Sequence, residues 1–436
     1  MKSLYRTLWR WHFYAGLFVI PFILILSLSG AVYLFKPQID ALEEQPFDRV
    51  ARTGAASPEQ QRDAALAAFP GARFHSYRLP RAADAPAMVH IALPGREAMR
   101  DVFVDGHARV LGSLDPESRI TPWLGRLHGS LLAGFWGSVL VELAASWAIV
   151  MIITGLYLWW PRGRGAAGVV WPRVTRGTAV FWRDLHAVTG FWVSGLALVL
   201  LLSGLPWTHV WGEGYKQLRA LVVATAPDWK LGLHDAHDHQ AMLDSASATG
   251  PVRLNALVAR AAAERMAFPV SVVAPSAAKP GVWTLRADPQ NRPLARAITF
   301  DAATGAVVKR TGFADKPLTD RLIGYGIAWH EGQLFGLANQ LIGVATALAL
   351  IALSISGFVL WRRRRPAGVL GAPPRPAVPA RIGGVVAITA LLALFLPMLA
   401  ASLLALLLFD RLLLPRLPAF ARWLGVAPAP LVRQTG

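Results

Sequence analysis

The 436-residue chain contains no cysteine. That excludes disulfides, thiolate-ligated haem, cysteine-ligated iron–sulfur clusters and thiol nucleophiles, and leaves histidine, methionine or oxygen for any metal chemistry. A Walker-type glycine loop, a Gly-x-Gly-x-x-Gly fingerprint after a strand and a His-Glu-x-x-His zinc motif are also missing. Acidic residues are scarce, 26 Asp and Glu against 44 Lys and Arg, for a formal charge of +18. The basic residues cluster beside apolar runs, where positive charge orients a chain in a membrane, so nucleic acid is not an expected partner.

What the chain has in abundance is apolar sequence, 54% of its residues. Runs near 13–35, 131–160, 187–207, 334–361 and 382–409 are each long enough to cross the ~30 Å hydrocarbon layer of a bilayer. Lys2, Arg6 and Arg10 precede the first run, Arg162, Arg164, Arg173, Arg176 and Arg183 follow the second, and Arg362 to Arg365 follow the fourth. By the positive-inside rule these faces are cytoplasmic and the long loops lie outside the membrane.

The predicted organisation is a span over 1–35, an outer domain over 36–125, a span over 126–161 and a cytoplasmic connector over 162–185. A span over 186–208, a second outer domain over 209–326, a span over 327–361 and a basic linker over 362–381 follow. The last segments are a fifth span over 382–409 and a tail over 410–436, whose Arg411, Arg416 and Arg422 then fall on the outer side, against the charge rule. The first span has the basic start of a signal peptide, but its apolar part is too long and its pattern recurs at the third span, so it reads as a retained helix.

That recurrence sets the architecture. His12 is followed by Gly16, Ser29 and Gly30, and His186 by Gly190, Ser203 and Gly204, at the same offsets of 4, 17 and 18. His128 is followed by Gly134, Thr154, Gly155 and Trp159, and His330 by Gly336, Ser356, Gly357 and Trp361, again at equal offsets. The pattern predicts a tandem duplication, about 4–162 and 179–364, with copies related by a pseudo-twofold axis along the membrane normal. The enclosed loops correspond too. Pro58–Phe69 and Val252–Met266 read as helices, each followed by strand-like runs, with turns at Asp105-Gly106 and over 301–305.

With its His-bearing Trp-Arg start, the matching His186 segment and the helix-plus-hairpin loops, the chain resembles the PepSY-associated transmembrane proteins of bacterial inner membranes over about residues 1–364. The resemblance implies a membrane α-helical bundle of about five transmembrane helices with two periplasmic α+β PepSY-like domains. Characterised members include ferric-siderophore reductases carrying haem b, which pass electrons across the membrane to periplasmic iron chelates.

Bis-histidine haem needs two imidazoles facing each other from neighbouring helices, and equivalent residues of a duplicated protein meet in that way. His12 and His186 are the expected axial ligands on the cytoplasmic side, with Gly16 and Gly190 leaving room one turn along and Arg10 and Arg183 near the propionates. His128 and His330, starting the second helix of each copy, are the expected ligands of a second haem at the outer face. Interfacial helix-end histidines repeated by duplication are the plainer alternative, weighed against the rule that an ionisable group at membrane depth is a functional candidate.

Other residues carry weaker signals. His209 is a belt residue among Trp207 and Trp211 or a substitute ligand, and His234, His237 and His239 with Asp235 and Asp238 form a solvated loop or a metal-touching cluster. Glu142 is a proton or ion path, or an acid hydrogen-bonded within the bundle. The tryptophans at 136, 147, 159, 160, 192 and 361 are chiefly packing and interfacial anchors. The predicted function is a haem b reductase that gives electrons to a ferric-siderophore and takes them from quinol or a cytoplasmic flavoprotein. Reduction loosens hard oxygen chelators from iron, and the step is outer-sphere, requiring no acid, base or nucleophile. A non-redox peptide- or peptidase-binding regulator and a small-solute transporter are the rival classes.

Overall fold

The computed structural model describes residues 2–95, 98–161, 166–224, 252–277, 279–374 and 383–426. The chain divides into two compact units, one of Met1–Val32, Gly125–Val222 and Leu341–Gly436, the other of Tyr33–Leu124 and Val223–Gln340.

The first unit is helical. Its long helices are α1 (Lys2–Tyr33), α5 (Gly134–Trp159), α6 (Thr178–Gly204) and α10 (Leu337–Arg364). The shortest, with 26 residues, is ~39 Å long at 1.5 Å per residue and exceeds the hydrocarbon thickness. Leu28, Trp192 and Leu348 are each at least 60% exposed, a surface that hydrocarbon satisfies and water does not. With the stretch Pro397–Arg416, five helices among the described residues are long and apolar enough to cross a membrane.

Two helix boundaries differ from the sequence expectation. The run over 126–161 is not one helix: α4 (Ile120–Ser130) ends before Leu131 and Leu132, both with positive φ, and α5 begins at Gly134 with φ +55°. Gly336, at the same offset from its histidine, has φ +58° just before α10, and glycine adopts this conformation without steric cost. His128 therefore sits near the end of α4 instead of starting a span.

The run over 382–409 is also broken, into α11 (Gly383–Phe395) and α12 (Pro397–Leu408). Pro397 lacks an N–H and pushes Leu396 out of the helical region, to φ −116° and ψ 90°. The carbonyl freed at Phe395 accepts from the Trp211 indole at 3.1 Å, and the Trp147 indole donates to Ser402 at 3.1 Å. Leu396 and Leu399 are buried against Ile149 and Leu205. The chain then returns to the end where α1 starts. There Leu370 N–H donates to Trp423 O (2.8 Å), Tyr14 Oη–H to Leu424 O (2.6 Å) and Arg10 to Gly425 O (3.2 Å), beside the short helix α13 (Pro418–Trp423). Arg422 thus ends on the same side as Arg10, which removes the conflict with the charge rule that a single span had created.

The second unit holds an antiparallel sheet of eight strands in the order β4-β3-β2-β1-β5-β6-β7-β8. Helix α3 (Pro58–Ala68) precedes β1 (Arg73–Arg78), β2 (Ala87–Ala92), β3 (Met99–Val104) and β4 (Val110–Leu114). The order recurs as α8 (Leu254–Ala263), β5 (Val270–Val273), β6 (Val282–Ala287), β7 (Arg296–Asp301) and β8 (Val307–Gly312), then α9 (Leu318–His330). Ser57 starts α3 in a reciprocal capping box with Gln60. Alternate residues of the strands, among them Val89, Val102, Leu285 and Ile298, are at most 1% exposed in one core that also takes Ala65 of α3 and Leu257 of α8.

Two separate outer domains were expected, yet β1 and β5 pair directly, Tyr77 opposite Val272, so one sheet runs through both. Each would otherwise be an unpaired edge next to a hydrophobic face, and pairing removes both edges at once. Before α3, an unforeseen helix α2 (Lys36–Asp48) packs on the first half of the sheet. Phe47 stacks on Phe103 at 4.3 Å, and Glu44 bonds Arg78 at 2.7 Å.

Candidate functional site

Three of the four histidines singled out by the repeat lie in the helical unit, and each is seated on a hydroxyl–glycine pair of a neighbouring helix. His12 Nδ1 is 3.0 Å from Thr154 Oγ1, and Gly155 lies so close that a Cβ would meet the ring at 3.2 Å. His186 Nδ1 is 3.1 Å from Leu353 O and 3.3 Å from Ser356 Oγ, with Gly357 at the same 3.2 Å. His128 Nδ1 is 3.1 Å from Ser29 Oγ, and a Cβ on Gly30 would come within 2.9 Å of its ring. The markers that revealed the repeat are thus the seats of the histidines.

The hydroxyls fix the ring tautomers. Thr154 donates its proton to Val150 O (2.9 Å), Ser356 to Leu353 O (2.9 Å) and Ser29 to Ile25 O (2.8 Å). A hydroxyl so committed can only accept from the imidazole, and Leu353 O can only accept as well. This places the Nδ1 proton of His12 and of His186 toward these acceptors, the state of a metal-binding histidine oriented by an outer partner, and Ser29 offers His128 Nδ1 the same kind of acceptor.

His12 and His186 lie together, their ring centroids 6.4 Å apart and their planes at 84°. Two imidazoles bound to one metal through ~2 Å bonds have centroids roughly 6 Å apart, and the observed spacing lies close to that value. Among the described residues no group of three or more His, Asp or Glu is arranged for a metal; axial ligation asks for only two. Along α1, Ser29 lies 17 residues beyond His12, which separates the His128 seat from the His12 seat by ~26 Å.

The other expected residues are placed differently. A Cβ on Gly16 would meet Met151 at 3.3 Å and one on Gly190 would meet Leu353 at 3.4 Å, so both glycines stand at close helix contacts. The buried Arg10 guanidinium bonds Pro373 O, Tyr14 Oη (3.1 Å) and Gly425 O (3.2 Å), which commits it to the C-terminal segment. Arg183 is paired with the fully buried Asp184 at 2.6 Å, and Arg173 grips the same carboxylate at 2.7 Å. Neither arginine is placed to await a propionate. His330, the last residue of α9, belongs to the second unit.

Glu142, 1% exposed, accepts from the backbone N–H groups of Val210 (2.9 Å) and Trp211 (3.1 Å), so it caps the first turn of α7 (His209–Ala224). The His209 ring lies edge-on to Phe135 at 4.7 Å. Trp159 and Trp361 donate to the carbonyls of Val169 (2.9 Å) and Leu370 (2.8 Å), anchoring the loops that follow their helices. The 234–239 cluster lies outside the described residues.

The second unit contains a group that sequence inspection did not single out. His90 Nδ1 is 2.6 Å from the buried Asp101 on the next strand, and His75 meets the His90 ring at 5.2 Å. Burial, with His90 beside it, lowers the His75 pKa to about 4. Strand alternation carries no signal for such a cross-strand cluster, since its members are 11 and 15 residues apart and only register unites them.

The fold and these seats define a multi-pass membrane protein whose spanning helices carry tautomer-fixed histidines and whose loops build an antiparallel sheet. Residues 9–364 match the family described as the PepSY-associated TM region, and the chain belongs to that family. No curated protein matches the chain.

Proposed function

We propose that the chain is a haem b reductase of the bacterial inner membrane, oriented with its N-terminus in the cytoplasm and arisen by tandem duplication, that delivers electrons to a ferric-siderophore in the periplasm. The carrying observation is the His12–His186 pair, 6.4 Å between centroids with both Nδ1 protons held. In this reading Thr154 and Ser356 keep the two rings oriented, Gly155 and Gly357 let the helices close around them, and the apolar bundle excludes water. A haem bound there supplies one-electron chemistry at a potential set by ligation and burial. His128 is the proposed ligand nearer the other end of α1, and the sequence repeat alone carries the matching role of His330.

The orientation is supported by Arg6, Arg10 and Arg362 to Arg365 on the segments that meet at the α1 start. Glu142, the acid that would support a solute or proton path, is engaged in capping α7. The test is the reduced-minus-oxidised absorption spectrum of the purified chain, with haem quantified per chain in wild type and in His12→Ala, His186→Ala, His128→Ala and His330→Ala variants. Low-spin b-type bands lost together on changing His12 or His186 are the expected result. A colourless protein after expression with ample haem would sink the reductase and favour a non-redox binding regulator.

A further inference from the structure

At the end of the helical unit where α1 begins, the start of α1, the end of α10, the chain after it and α13 line a half-open cavity of about 310 Å³. Its walls carry Trp9, Phe13, Trp361 and Trp423, with Arg364 and Arg422 and no acidic side chain. The Arg364 guanidinium lies over the Trp9 ring at 5.4 Å. The walls are tied in place: Trp361 and Trp423 meet through Leu370, whose carbonyl accepts from the Trp361 indole and whose N–H donates to Trp423 O, each at 2.8 Å. Trp9 and Phe13 flank His12 on α1.

We propose that this cavity binds the ring of a quinone-class carrier dissolved in the bilayer, a role that rests on the redox reading above for its purpose but not for its binding chemistry. Trp9, Phe13, Trp361 and Trp423 give the cavity an aromatic lining suited to a planar ring. Two guanidiniums offer donors to ring carbonyl or hydroxyl oxygens with no carboxylate to compete. The volume is at the small end of ligand cavities and suits one substituted ring system. A nucleotide is disfavoured because the chain has no glycine-rich phosphate loop. A lipid phosphate would match the arginines but leave four ring walls without a role.

The full chain in detergent, titrated with decyl-benzoquinone in a calorimeter, tests this. The expected result is saturable binding of one molecule per chain, weakened about tenfold or more by Trp423→Ala, largely retained in Trp423→Phe, and weakened by Arg364→Gln. Far-ultraviolet circular dichroism of each variant checks folding. Absence of saturable binding, or binding indifferent to all three variants, overturns the proposal. So does displacement of the quinone by phosphatidylglycerol micelles that bind more tightly and lose affinity in the same variants, because the cavity is then a lipid-headgroup site. The readout needs no haem: a colourless chain that binds quinone through Trp423 keeps this site and loses the reductase, and a haem-bearing chain indifferent to quinone does the reverse.

Discussion

A hydroxyl whose proton is committed to its own helix has only lone pairs to give a neighbouring ring, and Thr154, Ser356 and Ser29 are all in that position. Thr154→Val keeps the volume and removes the acceptor, so under the proposed haem ligation cofactor retention is expected to fall by roughly 10- to 100-fold, while Thr154→Ser keeps it; the rate of haem transfer to an apoprotein acceptor measures both. The glycines under the rings respond in order of clearance. Gly30→Ala, at 2.9 Å from His128, is expected to destabilise more than Gly155→Ala at 3.2 Å from His12, with costs on the order of 1–3 kcal/mol for overpacking.

Two titrating groups of the sheet unit act on stability in opposite directions. The Glu331 carboxyl, buried and with one oxygen lacking a hydrogen-bond partner, is raised to about 7 by desolvation. The folded state then holds a proton the unfolded chain has released, so this contribution is fully present below the ordinary carboxyl value of 4.5 and is lost as pH rises through about 7. His75 is lowered from 6.5 to about 4 by burial, so its contribution is present above 6.5 and lost as pH falls through about 4. Subtracting the melting curves of Glu331→Gln from wild type between these limits is expected to reveal a falling stability with pH. A flat difference would show Glu331 to be solvated.

At the scale of elements, Glu142 ties two helices that are distant in sequence. Its carboxylate caps α7 from within α5, and Glu142→Ala is expected to cost ~1–2 kcal/mol, as other lost caps do. Exchange of the Val210 and Trp211 amides should accelerate in that variant and recover in part with Glu142→Gln, which keeps one acceptor. The sequence made Glu142 conspicuous but not its partner, because the α7 N-terminus that needed an acceptor is invisible until the helices pack.

Legibility divided along the same line elsewhere. The equal offsets of His, Ser or Thr, and Gly were readable because helix pairing preserves spacing, and the strands of both loops were readable from alternation. The break before Gly134 was hidden by Leu131 and Leu132, two residues that give no warning of positive φ. The β1–β5 pair was hidden because nothing local distinguishes an edge that finds a partner nearly 200 residues away from one that faces water. The break at Leu396-Pro397 was signalled by the proline, but the apolar residues on both sides made one span look continuous.

For the whole molecule, that last break decides on which side of the membrane the segment after α12 lies. A single span over 382–409 would carry Arg411, Arg416 and Arg422 to the side opposite Arg6. The α11–α12 hairpin brings them back, with Leu424 and Gly425 accepting from Tyr14 and Arg10. The cysteine-free chain allows a direct test, because one introduced thiol is the only one present. In the proposed orientation, with the N-terminus cytoplasmic, Ala133→Cys at the far end of the helices is expected to label with a membrane-impermeant maleimide on intact spheroplasts. Arg6→Cys and Ala419→Cys are expected to stay unlabelled until the cells are lysed. Labelling of Ala419→Cys together with Ala133→Cys would instead mean that 383–416 crosses once, and the wall that α13 contributes to the aromatic cavity would be on the wrong side of the bilayer.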